Sequence, residues 1–259
     1  MVVIPKLKLN DAHAATLDGV ARCARYGFGP NKLHLCGPDA NREVLSYIKA
    51  GASDPGLERL LTGFKTLYPY LKQIAEANRI ADPFDDRVVE AYWIGNSLLE
   101  TISPKIFFRH LAETLGLKKR YDPKSFEQLV NKLPKGARMH HSFHVLNAYK
   151  RTGHDAIWHN LESMDACRVS WGKVVRTDGP KVILKRRPLI LNGHLLELGA
   201  AVEYTTSRQL DAAPEFDELV PGQWVSLHWH KMCEVINEPQ VRQLLYYTLK
   251  HMALSNQTL

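Results

Sequence analysis

Cys167 and His228 carry the chemistry that is easiest to argue from this sequence. Cys167 opens the segment Cys167-Arg168-Val169-Ser170-Trp171-Gly172-Lys173-Val174-Val175, and His228 closes Pro221-Gly222-Gln223-Trp224-Val225-Ser226-Leu227-His228. A thiolate is a soft, strongly donating ligand, and an imidazole beside it can complete a site for a transition metal. Further donors lie elsewhere. His140 and His144 fall in the run His140-His141-Ser142-Phe143-His144 and share a face whether that run is a strand or a helix. Cys23 precedes, and Cys36 lies within, residues 26–39, where glycines and prolines predict a loop placed for a purpose. His230 and Cys233 follow His228 closely. Each of these also has an unremarkable reading, as a small buried hydrophobe or as a hydrogen-bonded core histidine. The four cysteines include no CxxC pair, so neither a disulfide framework nor a closed structural zinc site is expected. No nucleophile, base and orienting group stand together, so hydrolase chemistry has no support.

Two textures must position these residues. Up to residue 160 the chain reads as helical. A helix is expected over 11–25, and another from Asn41 to Ala50. Asp54-Pro55, Asp82-Pro83, Ser103-Pro104 and Asp122-Pro123 each pair a capping residue with a proline suited to a first helical turn. Leu57, Leu61, Phe64, Leu67, Leu71 and Ile74 recur at helical spacing, with Pro69 expected to kink or break the run. Gly153-His154-Asp155 and Trp158-His159-Asn160 read as a linker or short helix. Beyond it, strands are expected at 167–175, 181–187, 189–191, 194–198, 201–206 and 223–229. Turns fall at Asp178-Gly179 and Asn192-Gly193, the latter a two-residue hairpin signal. Asn237-Glu238-Pro239 then caps a last helix packing through Val241, Leu244, Leu245, Thr248, Leu249 and Met252. The expected fold class is α+β: an all-α domain over 1–160, then a small OB-like β-barrel with a C-terminal helix over 161–259.

The 259 residues carry a formal charge of +7, spread along the chain with local clusters at Lys118-Lys119-Arg120 and Lys185-Arg186-Arg187. Solvated charge explains such clusters, and no array of aromatic and basic residues marks the strands, so nucleic acid is not the expected partner. No apolar run is long enough to span a bilayer, and the first ten residues lack the apolar core of a secretory signal. A cytoplasmic location is the default expectation.

The two strand segments together resemble the HypC/HybG/HupF family of [NiFe]-hydrogenase formation chaperones. Cys167-x-Val169-x-x-Gly172-Lys173-Val174-Val175 resembles that family's first strand. Val220 to His228, with Met232 and Val235-Ile236-Asn237-Glu238, resembles its closing strand and C-terminal helix. The likeness covers roughly residues 164–255. It implies a hydrogenase maturation factor in which Cys167 carries iron, as a cyanide and carbonyl complex, with His228 near it. It also implies docking on the hydrogenase large subunit or other maturation proteins, for which Trp171 and Trp224 are the candidate contacts. The sequence departs from the family in three ways. Cys167 lies behind a whole domain, Trp171 replaces a proline, and Glu203 to Glu218 looks like an inserted loop. These changes suit a derived protein that keeps the metal-handling unit and adds a helical module. The first 160 residues look like those of an uncharacterised bacterial family joined to such a unit. The second reading is a metalloenzyme with a Cys/His site between the helical part and the barrel.

Overall fold

The computed structural model describes residues 17–148, 160–207, 216 and 218–258. The N-terminal ten residues, the Gly153-His154-Asp155 and Trp158-His159 segments and most of the expected inserted loop lie outside them.

The helical part begins with α1 (Gly19–Lys32), capped by the Asp18 side chain on the Val20 amide. This helix overturns the first part of the expected loop at residues 26–39 and leaves residues 33–39 as the loop. It runs straight through Tyr26-Gly27-Phe28-Gly29-Pro30-Asn31, and only residues 33–40 are irregular. The glycines serve close approach rather than turning. A Cβ on Gly27 would meet the Phe64 ring at 3.2 Å, and one on Gly29 would meet the His228 carbonyl oxygen at 2.8 Å.

Then follow α2 (Asn41–Ala50), α3 (Pro55–Thr62), α4 (Leu67–Ala77), α5 (Asp86–Trp93), α6 (Pro104–Arg109), α7 (Leu117–Arg120) and α8 (Pro123–Val130). The caps at Asp54, Ser103 and Asp122 form as the sequence predicts, each side chain accepting backbone N–H groups of the first turn. Asp82 instead holds a turn, and α5 is capped by Asp85. The apolar run from Leu57 breaks at Gly63–Thr66, so it forms two helices, with Pro69 in the first turn of the second. Two helices end in π-helical turns, each beginning at a histidine: His110–Thr114 after α6, and His144–Ala148 after α9 (His141–Phe143).

Helix α10 (Leu161–Cys167) leads into the strands. Cys167 therefore ends a helix, where the sequence reading has it open a strand. Arg168 turns the chain into extended conformation, and β1 (Ser170–Asp178) begins three residues after the cysteine. The other strands are β2 (Lys181–Arg186), β3 (Leu189–Asn192), β4 (Leu195–Leu198), β5 (Val202–Ser207), β6 (Trp224–His228) and β7 (Lys231–Ile236). An antiparallel sheet has the order β5-β2-β1-β6-β7, and β3 and β4 form a separate hairpin. The expected closed barrel is not found. The sheet curls over an apolar interior of Val174, Val182, Leu184, Val225, Leu227 and Met232, plugged by Phe216 and Leu219. Its edges meet through side chains, with Thr206 Oγ1 donating to the His230 carbonyl at 2.9 Å and Tyr204 Oη 2.7 Å from His230 Nδ1. No ladder joins β5 to β7 among the described residues.

The last helix, α11 (Glu238–Ser255), carries a full capping box between Asn237 and Gln240. Leu244, Thr248 and Met252 are buried as expected, but so are Gln240, Gln243, Tyr247 and His251, a wider face than the apolar positions alone predict. The largest core joins Val20, Tyr26, Phe64, Tyr70, Tyr92 and Phe107 of the helical part with Val169, Cys233, Ile236 and Leu244. A buried ion pair crosses the same boundary. Arg22 Nε of α1 meets Glu234 Oε2 of β7 at 3.1 Å, and Glu234 Oε1 also accepts from the Tyr26 hydroxyl at 2.7 Å. No described helix is long and apolar enough to cross a membrane.

Candidate metal centre

His228 reaches its position through a proline. In an α-helix the carbonyl of Tyr26 would accept from the amide of residue 30, but Pro30 has no N–H. His228 Nδ1 takes that carbonyl at 2.6 Å. A carbonyl only accepts, so Nδ1 carries the proton and Nε2 is bare. That Nε2 is buried and has no hydrogen-bond partner. An imidazole with one nitrogen anchored on a backbone carbonyl and the other free is the arrangement metal-ligating histidines adopt. Burial pushes His228 down to about 4, so the ring is neutral and its lone pair available at neutral pH.

Cys167 is brought to His228 by backbone bonding. Residues 229 and 230 form a tight turn between β6 and β7, both with positive φ (48° and 66°) although neither is glycine. The Trp229 amide donates to the Ala166 carbonyl at 2.7 Å, which pins the turn to the end of α10. Asp165 fixes α10 from the other side. It receives Arg168 at 2.8 Å, Arg186 at 2.6 Å and the Leu189 amide at 2.8 Å. Burial works to raise the Asp165 pKa, but the two guanidiniums and the Leu189 amide hold it below the usual carboxylate range.

The third donor is one that the sequence reading passed over. His141 lies with Cys167 and His228 in a group whose ligand atoms all fall within 4.8 Å of one another. Its Nε2 lies 2.7 Å from the Cys167 carbonyl oxygen and 4.0 Å from the Cys167 sulfur, and its Nδ1 is 3.1 Å from the Tyr92 hydroxyl. The carbonyl fixes the proton on Nε2, so Tyr92 donates to Nδ1. The His141 and His228 rings stand nearly perpendicular at 5.0 Å, and Trp93 packs against both. Burial and the neighbouring imidazoles hold His141 well below its usual value.

The group opens on a cavity of about 70 Å³, walled mainly by apolar side chains such as Leu35, Phe64, Leu67, Trp93 and Trp229. Cys36 and His144 also line it. A tetrahedral ion bonded at about 2.0–2.1 Å to nitrogen and about 2.3 Å to sulfur sets its ligand atoms roughly 3.3–3.6 Å apart. The three donors fit such an ion after drawing together by up to about 1.5 Å. The donor set, two imidazoles and a thiol with no carboxylate, suits zinc, iron, cobalt or copper and not calcium or magnesium.

Of the other sequence candidates, Cys36 and His144 share the cavity wall with this group, and the rest lie elsewhere. His140 caps α9, stacks on Tyr247 at 4.9 Å and hydrogen-bonds Ser142, which in turn meets His251 at 2.7 Å. His144 faces Tyr70, its Nδ1 3.3 Å from the hydroxyl. Helix α9 thus sends the two histidines that share a face on paper to separate partners. Cys23 is fully buried in α1, and burial raises its thiol far above the usual range. Cys233 is likewise buried in β7, while Cys36 is half-buried at the cavity. Trp171 and Trp224 are half-buried against the main core, with Lys173 Nζ 5.4 Å from the Trp224 ring.

A family model described as a family of unknown function, DUF6390, matches residues 15–259, and the chain belongs to that family. Neither curated proteins nor solved structures gave a match.

Proposed function

We propose that this protein is a metal-handling maturation factor that takes up an iron fragment through Cys167 and His228 and passes it to a partner protein. The observation that carries the reading is the buried, unpartnered Nε2 of His228, a residue that lines the cavity and whose donor groups with that of Cys167 within 4.8 Å. The resemblance of residues 164–255 to hydrogenase formation chaperones supplies the cargo, an iron–cyanide–carbonyl unit. The apolar cavity wall suits small uncharged or weakly hydrated ligands on such an iron. The curled sheet with its C-terminal helix is the part that this reading compares with the family's barrel. Hydrogenase large subunits or other maturation proteins are the partners it implies, with Trp171 and Trp224 as candidate contacts.

The test is protein purified without oxygen, analysed for metal and by infrared spectroscopy. Iron with cyanide and carbonyl stretching bands, lost in Cys167→Ala, is the expected result. Metal-free protein, or bands that persist in Cys167→Ala, would sink the reading. A second reading, a metalloenzyme, is favoured by the third donor, because three protein ligands and one open position characterise catalytic metal sites. Bound metal without those bands, lost on changing His141, would favour it.

A further inference from the structure

We propose that His141 is an exchangeable third ligand: it holds the Cys167 carbonyl in the metal-free protein and turns its Nε2 to a divalent first-row transition metal once that ion sits on Cys167 and His228. The inference rests on the proposed metal handling and adds the part that the helical region plays in it.

The geometry makes the exchange short. The present partner of His141 Nε2 is the backbone oxygen of the residue whose sulfur is to be the ligand, and that sulfur is 4.0 Å from the same nitrogen. Trading the carbonyl for an ion between the donors asks for a small turn of the ring and up to about 1.5 Å of movement. The other ring nitrogen is prepared for either state. Tyr92 hydroxyl both donates and accepts, so it serves Nδ1 with or without a proton. In the metal-free state Nε2–H donates to the carbonyl and Tyr92 O–H donates to Nδ1. In the bound state the proton sits on Nδ1 and is donated to the Tyr92 oxygen, whose own hydrogen turns away. The proton count on His141 is unchanged between the two states.

The consequence is a site with two strengths. With His141 on the carbonyl, an ion has two protein ligands and is open to transfer. With His141 engaged, it has three and is retained. Because His141 sits on α9 and Cys167 on α10, any partner that shifts one against the other would change the grip.

The experiment is titration of cobalt(II) alone into reduced, metal-free full-length protein. Wild type is expected to show a sulfur-to-cobalt charge-transfer band with the strong visible bands of a tetrahedral ion. His141→Gln should keep the charge-transfer band, change the visible bands toward higher coordination and bind at least about tenfold more weakly. Tyr92→Phe should weaken binding about 10–100-fold. Equal affinity and an unchanged visible spectrum in His141→Gln would overturn the exchange while leaving Cys167 and His228 as ligands. A charge-transfer band that survives Cys167→Ala would overturn the underlying reading as well, as would no binding by wild type. Should His141→Gln fold poorly, nitrogen-15 spectra of the wild-type histidines with zinc(II) decide. His141 must move its proton from Nε2 to Nδ1, and an unchanged tautomer would refute the proposal.

Discussion

His228 owes its bare nitrogen to a proline two hundred residues away in the chain. Pro30 withholds the amide that would have occupied the Tyr26 carbonyl, and His228 Nδ1 fills the vacancy at 2.6 Å. Pro30→Ala restores the competing donor. Helix α1 should then be as stable or more so, while metal affinity falls about 10–100-fold because the tautomer is no longer fixed. Thermal melting and cobalt titration of the same variant check this, and undiminished affinity would show that Pro30 has no such role. Removing the buried charge of Glu234 acts differently. Glu234→Ala removes the carboxylate paired with Arg22 at the junction of α1 and β7. Among the described residues it leaves the guanidinium only the Asp86 carbonyl as a hydrogen-bond partner, and it should cost about 3–5 kcal/mol in a denaturant melt.

At the scale of elements, strong local signals were legible in the sequence. The prolines after Asp54, Ser103 and Asp122 and the cap at Asn237 act where spacing and capping chemistry place them, while the β3–β4 hairpin turns one residue later than expected, on Gly193 and His194 with Asn192 paired to Leu195. Signals that depend on a neighbouring element were not. Gly27, Gly29 and Pro30 read as a turn, yet they let α1 pass close to Phe64 and to the end of β6. The hairpin of β6 and β7 was invisible because Trp229 and His230 occupy left-handed conformations that usually call for glycine or asparagine. His141 was missed for a related reason. Its neighbours at His140 and His144 share a face by periodicity, whereas a three-residue helix leading into a π-helical turn points it at Cys167. The pair Cys167 and His228 could be named from sequence, but only through resemblance and not through spacing. Gly29→Ala is the variant for this scale. Its Cβ would lie 2.8 Å from the His228 carbonyl and 3.0 Å from Trp229 Cβ, so α1 and the turn must separate. A loss of about 1–3 kcal/mol is expected, with weaker metal binding, and a crystal structure of the variant would locate the shift.

Five of the described histidines are buried as neutral imidazoles. Burial leads the causes that hold His110, His140, His141, His228 and His251 below their ordinary value, to about 3 for His110 and His140 and about 4 for His228. The unfolded chain protonates these rings near pH 6.5, and the folded chain does not. Their contribution is therefore fully present above about pH 6.5 and is lost as pH falls toward the folded values. Each ring contributes a slope of about 1.4 kcal/mol per pH unit, so five together give roughly 7, against a typical total stability of about 5–15 kcal/mol. Cooperative acid unfolding within about two units below pH 6.5 should follow, and far-ultraviolet circular dichroism unchanged at pH 4 would contradict it. Bound metal should move that transition to lower pH, since protons compete for the same nitrogens. In the proposed role, sulfur from Cys167 and imidazole nitrogen from His228 hold a metal together. X-ray absorption on the metal-loaded protein tests it most directly. A sulfur shell near 2.3 Å with imidazole nitrogen near 2.0–2.1 Å, and loss of the sulfur in Cys167→Ala, is the result expected here. A first shell of nitrogen and oxygen alone in wild type would contradict it.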